Sequence, residues 1–345
     1  MRSSKLPAVS PAESREAVYS IEMFHYNNGL KITALDLAID YCRRQPRGFV
    51  SHAHADHMAR HELAFCTRET AALYRARLGD RRTRLMPLGE TLEWQNHRLT
   101  THPAGHCLGS AMLHVETPDG SMLYTGDFKL GPSATAAPAD PPRADVLVME
   151  STYGDPRYQL PPREEVVEQL VRTVQLVLQS GRTPLIHAYV MGKSQEVTRI
   201  LTQHGIPVQQ HPLIYEISQI YEAQGCPLGE VSCYADKYLP GHAVIVPPVM
   251  QKAARLLNLG RTATIVVTGW AHCPRGRQNS RADFAVPLSD HADYNELLEC
   301  VDRVQPRVIY CTHGPLQFVA DLRRRGFDAR PLDSLRGDPF RSCGV

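Results

Sequence analysis

The sequence predicts an α/β protein whose polar residues collect where strands end. Three observations predict it. Short apolar runs of strand length alternate with stretches whose apolar residues recur at helical spacing, as in Thr67–Leu78 and Arg163–Gln179. Apolar segments repeatedly open into a histidine or a carboxylate: Gly48-Phe49-Val50 before His52, Val146–Met149 before Glu150, Phe284–Leu288 before His291, and Arg307–Cys311 before His313. Composition also shifts at Asp155–Pro162, a linker with three prolines, after which strands and helices alternate as in a separate α/β module.

In chain order, Val18–Phe24 and Leu30–Leu37 read as strands around Asn27-Asn28-Gly29, a hairpin signal. Leu37–Asp40 is a short apolar stretch ending in a carboxylate. Asp40 reads either as a turn residue or as a carboxylate that orients a metal-bound histidine, and spacing alone does not decide between them. The densest chemistry follows at Ser51-His52-Ala53-His54-Ala55-Asp56-His57-Met58, on a loop expected to leave a buried strand and turn into a helix. His52 and His54, two apart, point the same way if extended geometry persists for one more step. Asp56 and His57 follow as the backbone turns. Imidazoles with carboxylate suit zinc and similar divalent metals.

Thr67 caps a helix that runs to Leu78, with Ala71, Tyr74 and Leu78 on one face. Leu85–Thr101 reads as two short strands. His106 then lies on a loop between Gly105 and Gly109, where backbone can approach a ligand closely. His102 reads as a neighbour rather than a ligand. Ala111–Val115 and Ser121–Thr125 are strands around Pro118-Asp119-Gly120, the second leading to Gly126-Asp127-Phe128. Asp145–Met149 is a strand opening at Glu150. Beyond the linker come the helix Arg163–Gln179, a strand over Thr183–Ala188, a helix reaching His204, and further strands starting near Gly205 and over Ala243–Pro247 and Thr262–Thr268. Gly192-Lys193-Ser194 fails as a phosphate-binding loop, because the first glycine of that motif would fall on His187. Lys193 at a helix N-terminus could still meet a phosphate, but is by default expected to be solvated.

A length of 345 residues favours about two domains and is ample for a sizeable core. The charge balance, 38 − 36 = +2, announces no nucleic-acid partner globally, and the arginine clusters near Arg43, Arg75–Arg84 and Arg323–Arg325 read as solvated faces. Nine cysteines without a Cys-x-x-Cys pair argue against a disulfide framework and for a reducing cytoplasm. Met1–Arg15 lacks the apolar core of a signal peptide and reads as a loose tail. No apolar run approaches membrane-spanning length.

The pattern His-x-His-x-Asp-His resembles the signature of the metallo-β-lactamase superfamily. From about Tyr19 to Arg330 the chain is similar to its β-CASP members, a group of nucleic-acid nucleases. Asp40 matches the first superfamily motif, and His52, His54, Asp56 and His57 the second. His106 in Ala-Gly-His-Cys-Leu-Gly-Ser matches the third, and Asp127 in Thr-Gly-Asp-Phe-Lys the fourth. Glu150, His291 and His313 match the three β-CASP motifs. Short phrases such as Glu150-Ser-Thr-Tyr-Gly154 and Leu288-Ser-Asp-His-Ala-Asp293 resemble the bacterial exonucleases associated with an ATP-dependent DNA ligase and a helicase.

That resemblance implies an α/β fold of a particular kind: an αββα sandwich interrupted by a β-CASP cap. The implied division is 1–17 flexible tail, 18–155 and 287–345 sandwich with a C-terminal tail, and 156–286 cap. It implies two divalent cations, zinc first with manganese as the other candidate. His52, His54 and His106 would hold one, and Asp56, His57 and His313 the other. Asp127 would bridge them and Asp40 support them from behind. Asp56 counts among the catalytic residues, His291 is the expected general acid, and Glu150 the carboxylate that orients it. The implied activity is metal-dependent exonuclease trimming of DNA ends in repair, with RNA processing as the alternative. His313 keeps RNA open, since RNA-processing members carry a histidine there and DNA-processing ones generally lack it. The implied partners are nucleic acid, the ligase and the helicase; no membrane is expected.

Overall fold

In a computed structural model, residues 23–335 are described, except for 28, 235–236, 249–258, 275 and 277–280. The expected loose tail before Val18 and the end of the chain lie outside them.

The first sheet comprises β1 (Phe24–Tyr26), β2 (Leu30–Ile32), β3 (Leu37–Ile39), β4 (Arg47–Phe49), β5 (Leu63–Cys66) and β6 (Thr83–Leu85), paired in sequence order. A hairpin is present around the expected turn, with Tyr26 opposite Leu30. Its first strand runs over Phe24–Tyr26, where the expected one was to end, and most of the expected Val18–Phe24 strand lies outside the described residues. Its second strand stops at Ile32 rather than Leu37, because Asp36 turns the chain at φ 49° before β3 starts. The His/Asp loop follows β4. It leads into β5 before the helix α1 (Arg68–Leu78), so the expected direct passage into a helix is interrupted by one strand. Thr67 caps α1 as expected, accepting from the Thr70 amide at 3.2 Å.

The second sheet starts with β7 (Thr91–Trp94), β8 (His97–Pro103), β9 (Ala111–Thr117), β10 (Gly120–Tyr124) and β11 (Val146–Glu150). Gln95 and Asn96 turn β7 into β8 with φ 48° and 62°, the double positive φ that matches strand twist in a tight hairpin. After α2 (Arg163–Gln179) the chain builds a third, wholly parallel sheet from β12 (Thr183–His187), β13 (Val208–Gln210), β14 (Val231–Cys233), β15 (Ala243–Val246), β16 (Thr262–Val267) and β17 (Phe284–Val286). Its order is β14-β13-β15-β12-β16-β17. Its helices are α2, α3 (Lys193–Gln203) and α4 (Pro212–Ala223). The chain then returns through α5 (Tyr294–Val304), β18 (Val308–Thr312), α6 (Leu316–Arg324) and β19 (Ala329–Pro331). β18 pairs in parallel beside β11 and completes the second sheet.

Alternation along the strands builds the layers. Leu113, Val115, Met122, Tyr124, Val146 and Val148 face the first sheet, meeting Ile32, Leu37, Phe49 and Phe65 in one core. Their neighbours Met112, Leu123, Leu147 and Met149 face the other way, against Leu297 and Val301 of α5 and Phe318 of α6. The outer side of the first sheet carries Ala64 and Cys66 against Leu73 and Tyr74 of α1. The result is helix, sheet, sheet, helix. Truncating Phe49, fully buried between the sheets, would cost about 3–5 kcal/mol. Ile217 and Tyr221 of α4 join the α1 cluster, so the third sheet's helices pack on the sandwich beside the His/Asp loop.

Candidate metal centre

Each residue expected at the site follows a strand or ends one: Asp40 after β3, His52 to His57 after β4, His106 after β8, Asp127 after β10, Glu150 at the end of β11, His291 after β17 and His313 after β18. The C-terminal strand ends therefore converge on one point, where α/β sheets commonly place ligands. The approach is tight. A Cβ on Gly105 would lie 2.1 Å from the Lys129 carbonyl oxygen, and its φ of 76° suits glycine.

His52 Nε2 lies 3.0 Å from His54 Nδ1, and His106 Nε2 lies 3.1 Å from the same atom. The outer ring nitrogens fix the tautomers. His106 Nδ1 donates to the Asp290 carbonyl at 2.8 Å, and His54 Nε2 donates to the Met191 carbonyl at 3.2 Å. Ser51 Oγ donates to Asp40 Oδ2 at 2.5 Å, so it accepts from His52 Nδ1 at 3.0 Å. Each ring thus turns its proton outward and its lone pair inward. Three lone pairs face one another, an arrangement that repels unless a cation sits among them. Two nitrogens bound tetrahedrally to one zinc stand on the order of 3.3 Å apart, close to these spacings. Burial and the neighbouring imidazoles lower the pKa of all three rings, that of His54 to about 4, keeping them neutral and ready to ligate.

A second cluster adjoins the first. His57 Nδ1 donates to Asp40 Oδ2 at 2.8 Å, while its buried Nε2 makes no hydrogen bond although Asp127 Oδ2 is 3.3 Å away. Burial opposes charge on His57, yet the carboxylates of Asp127 and Asp40 raise its pKa well above the ordinary value. A cation beside Nε2 answers the same demand. Asp127 reaches both clusters: Oδ2 lies 3.5 Å from His52 Nε2, and Oδ1 lies 3.9 Å from His313 Nδ1. Burial pushes its carboxyl up, but His57 and His313 hold it well below the usual range. His313 sits in the left-handed region at φ 54°, half exposed. Asp56 is less engaged. Its side chain is 76% exposed, and Oδ2 stands 3.8 Å from His57 Nε2.

The third group is His291 with Glu150. His291 Nδ1 lies 2.9 Å from Glu150 Oε1, whose carboxylate also accepts from the Phe128 amide at 2.8 Å and from Thr152 Oγ1 at 2.5 Å. Burial disfavours charge on His291, but Glu150 overrides it and raises the pKa to about 10. The His291 ring lies 4.7 Å, centroid to centroid, from that of His106. The His102 ring lies 5.9 Å from that of His114, and His102 joins none of these groups.

Some participants escaped the sequence reading. Ser51 and Tyr124 both donate to Asp40 Oδ2, Tyr124 at 2.9 Å; Ser51 adjoins the histidine motif, but Tyr124 carries no local signal. Lys193 is not solvated as expected. It is 1% exposed, with Nζ 2.9 Å from Asp290 Oδ1, because the loop after β17 brings that carboxylate to the start of α3. His54, His57, Asp127, His291 and His313 line a cleft of about 500 Å³ between the sandwich loops and the third sheet's loops at Tyr189–Lys193 and Thr268–Trp270.

Residues 284–331 match the family described as "Zn-dependent metallo-hydrolase RNA specificity domain". A protein of Opitutus terrae named "Probable DNA ligase" is 37% identical over 88% of this chain and 30% of its own length. "Transcription termination factor FttA" of Pyrococcus horikoshii is 37% identical over 69% of this chain and 48% of its own length. The chain is a β-CASP member of the metallo-β-lactamase superfamily. This β-CASP chain spans less than half the length of either curated relative. A solved structure titled "Crystal Structure of a Protein of Unknown Function from Enterococcus faecalis V583" superposes with a TM-score of 0.55 at 17% identity, covering 77% of this chain and 75% of its own, and shares the fold. The β-CASP cap corresponds to the third sheet and its helices, and the cluster of histidines and Asp127 is able to bind metal. Among the described residues no helix is long and apolar enough to cross a membrane.

Proposed function

We propose that this chain is a metal-dependent phosphodiester hydrolase that trims DNA ends, working alongside DNA ligation in repair. The observation that carries this reading is the set of inward-facing lone pairs on His52, His54 and His106 beside the His57–Asp127–His313 group, with His291 held by Glu150 on the rim. His52, His54 and His106 would hold one cation. Asp56, His57 and His313 would hold the second, with Asp127 between them and Asp40 fixing His57. Zinc fits the donor set, and manganese is the alternative. When bound, such cations supply an activated water and neutralise charge on a phosphodiester. His291 keeps a proton on Nε2, opposite the Nδ1 that Glu150 holds, and delivers it to the departing oxygen as general acid. Residues 18–155 and 287–345 form the hydrolytic unit, and 156–286 form the cap that walls the cleft.

The DNA reading draws on the Opitutus relative, in which a stretch matching most of this chain belongs to a longer polypeptide named for DNA ligation. An RNA substrate is the second reading, favoured by the matched family's "RNA specificity" description and by His313. Parallel assays on end-labelled DNA and RNA of matched sequence, single- and double-stranded, with zinc or manganese, separate the two. Degradation of DNA from its ends supports the first. Cleavage of RNA with DNA left intact rejects it.

A further inference from the structure

One wall of the cleft presents aromatic surface for which the hydrolytic chemistry has no use. Trp270 is 41% exposed and Tyr189 is 58% exposed, and both line the same cleft as His54, His57 and His291. Trp270 is exposed yet held rigidly. Its ring packs on Tyr153 with centroids 4.6 Å apart and meets Tyr158 edge-on at 5.0 Å. Tyr153 is buried and meets the His291 ring at 6.2 Å, so the clamp is tied to the reacting end of the site. The backbone before the tryptophan fits this seat only as glycine: a Cβ on Gly269 would stand 2.4 Å from Tyr153 Oη. A large apolar ring kept open to a cleft forgoes the stabilisation that its burial would bring.

We propose that Trp270 is a stacking platform for an unpaired nucleobase beside the scissile phosphate, making a single-stranded end the preferred substrate. The inference rests on the hydrolase reading and deepens it. Any base has a π-face, so such a platform takes bases regardless of sequence. Bases inside a duplex already stack on their neighbours and offer no free face. A volume of about 500 Å³ is that of a pocket for a small molecule, enough for a short piece of unpaired strand but not a duplex. Arg77 lines the same cleft and gives the strand's phosphates a cation.

The chain has two tryptophans, which makes the test direct. Trp94 stacks on Phe65 at 5.4 Å in the sandwich, away from the cleft lining. Tryptophan emission of the metal-loaded full chain would be titrated with a phosphorothioate single-stranded DNA, and with the same strand lacking its terminal bases. Emission should be quenched by the intact strand in wild type and in Trp94→Phe, but not in Trp270→Phe. Trp270→Ala should weaken binding about five- to hundredfold, and Trp270→Phe should recover most of it, with melting temperatures confirming that both fold. The loss should appear in KM, with kcat within about twofold. The strand without terminal bases should bind wild type and Trp270→Ala equally. Equal binding of the intact strand by wild type and Trp270→Ala overturns the platform, even where cleavage proceeds. Base-dependent quenching with no cleavage of any strand supports the platform while rejecting the hydrolase reading.

Discussion

Asp40 Oδ2 accepts from His57 Nδ1 at 2.8 Å, and the same carboxylate accepts from the Ser51 amide and hydroxyl and from Tyr124. Asp40 sits at φ 47°, a left-handed conformation uncommon for a non-glycine residue, which places its carboxylate under the loop. One buried group thus aims His57 directly and His52 through Ser51. Replacing Asp40 by Asn keeps the shape but loses the charge. Asp40→Asn should weaken metal affinity about 10- to 100-fold with the fold retained, measured by competition against a chromophoric chelator.

His291 and His54 separate turnover from ligation. His291→Ala should lower phosphodiester cleavage about 10²- to 10⁴-fold while metal content stays near that of wild type. His54→Ala should reduce both. Metal analysis and single-turnover cleavage on the same preparations check the pair, and full activity in His291→Ala contradicts the general-acid role.

In metal-free protein, His54 protonates near pH 4 rather than the ordinary 6.5, chiefly because it is buried. The unfolded chain therefore takes up its proton first as pH falls. Stability contributed by the neutral ring is intact above about pH 6.5 and drains away between there and about pH 4, at up to about 1.4 kcal/mol for each pH unit before solvent screening. His52 and His106 shift in the same direction. Urea midpoints of the stripped protein should fall from pH 7 to pH 5, and His54→Gln should flatten the decline. A midpoint independent of pH across that window argues against neutral buried rings.

Gly105→Ala should destabilise the chain by about 1–3 kcal/mol and loosen metal binding, since the added methyl meets the Lys129 carbonyl and shifts His106. Thermal unfolding with and without zinc reads both effects. Gly181→Ala serves as the control, because its positive φ lies where a Cβ meets nothing.

The site was legible where local order carries it. His52, His54 and His57 lie close together in sequence; His106, Asp127, His291 and His313 follow strands and Glu150 ends one, a recurring context that the family resemblance turned into named candidates. Helices α1 and α2 were legible for the same reason, with buried residues such as Val166, Leu170 and Val174 at helical spacing. What sequence did not carry depends on distant partners. The order of the third sheet sets β12 between β15 and β16, a choice made by packing across the cap. Lys193 read as solvated because Asp290, which buries it, is remote in sequence. Helix α4 starts at Pro212 with His211 accepting from the Leu213 amide; histidine is an unusual cap, and the proline at the first helical position was the one start signal, which was passed over. The left-handed Asp36, which ends β2 early, is likewise invisible to periodicity.

The most direct test is metal stoichiometry read together with cleavage. Chelator-stripped wild-type protein and Asp127→Asn would be titrated with zinc or manganese while degradation of an end-labelled single-stranded DNA is followed. Wild type should be inert when stripped, and should gain activity that saturates at two equivalents of metal; Asp127→Asn should bind weakly and remain at least about 10²-fold slower. Cleavage that survives stripping, or two tightly bound equivalents with no phosphodiester cleavage of DNA or RNA, would contradict the account.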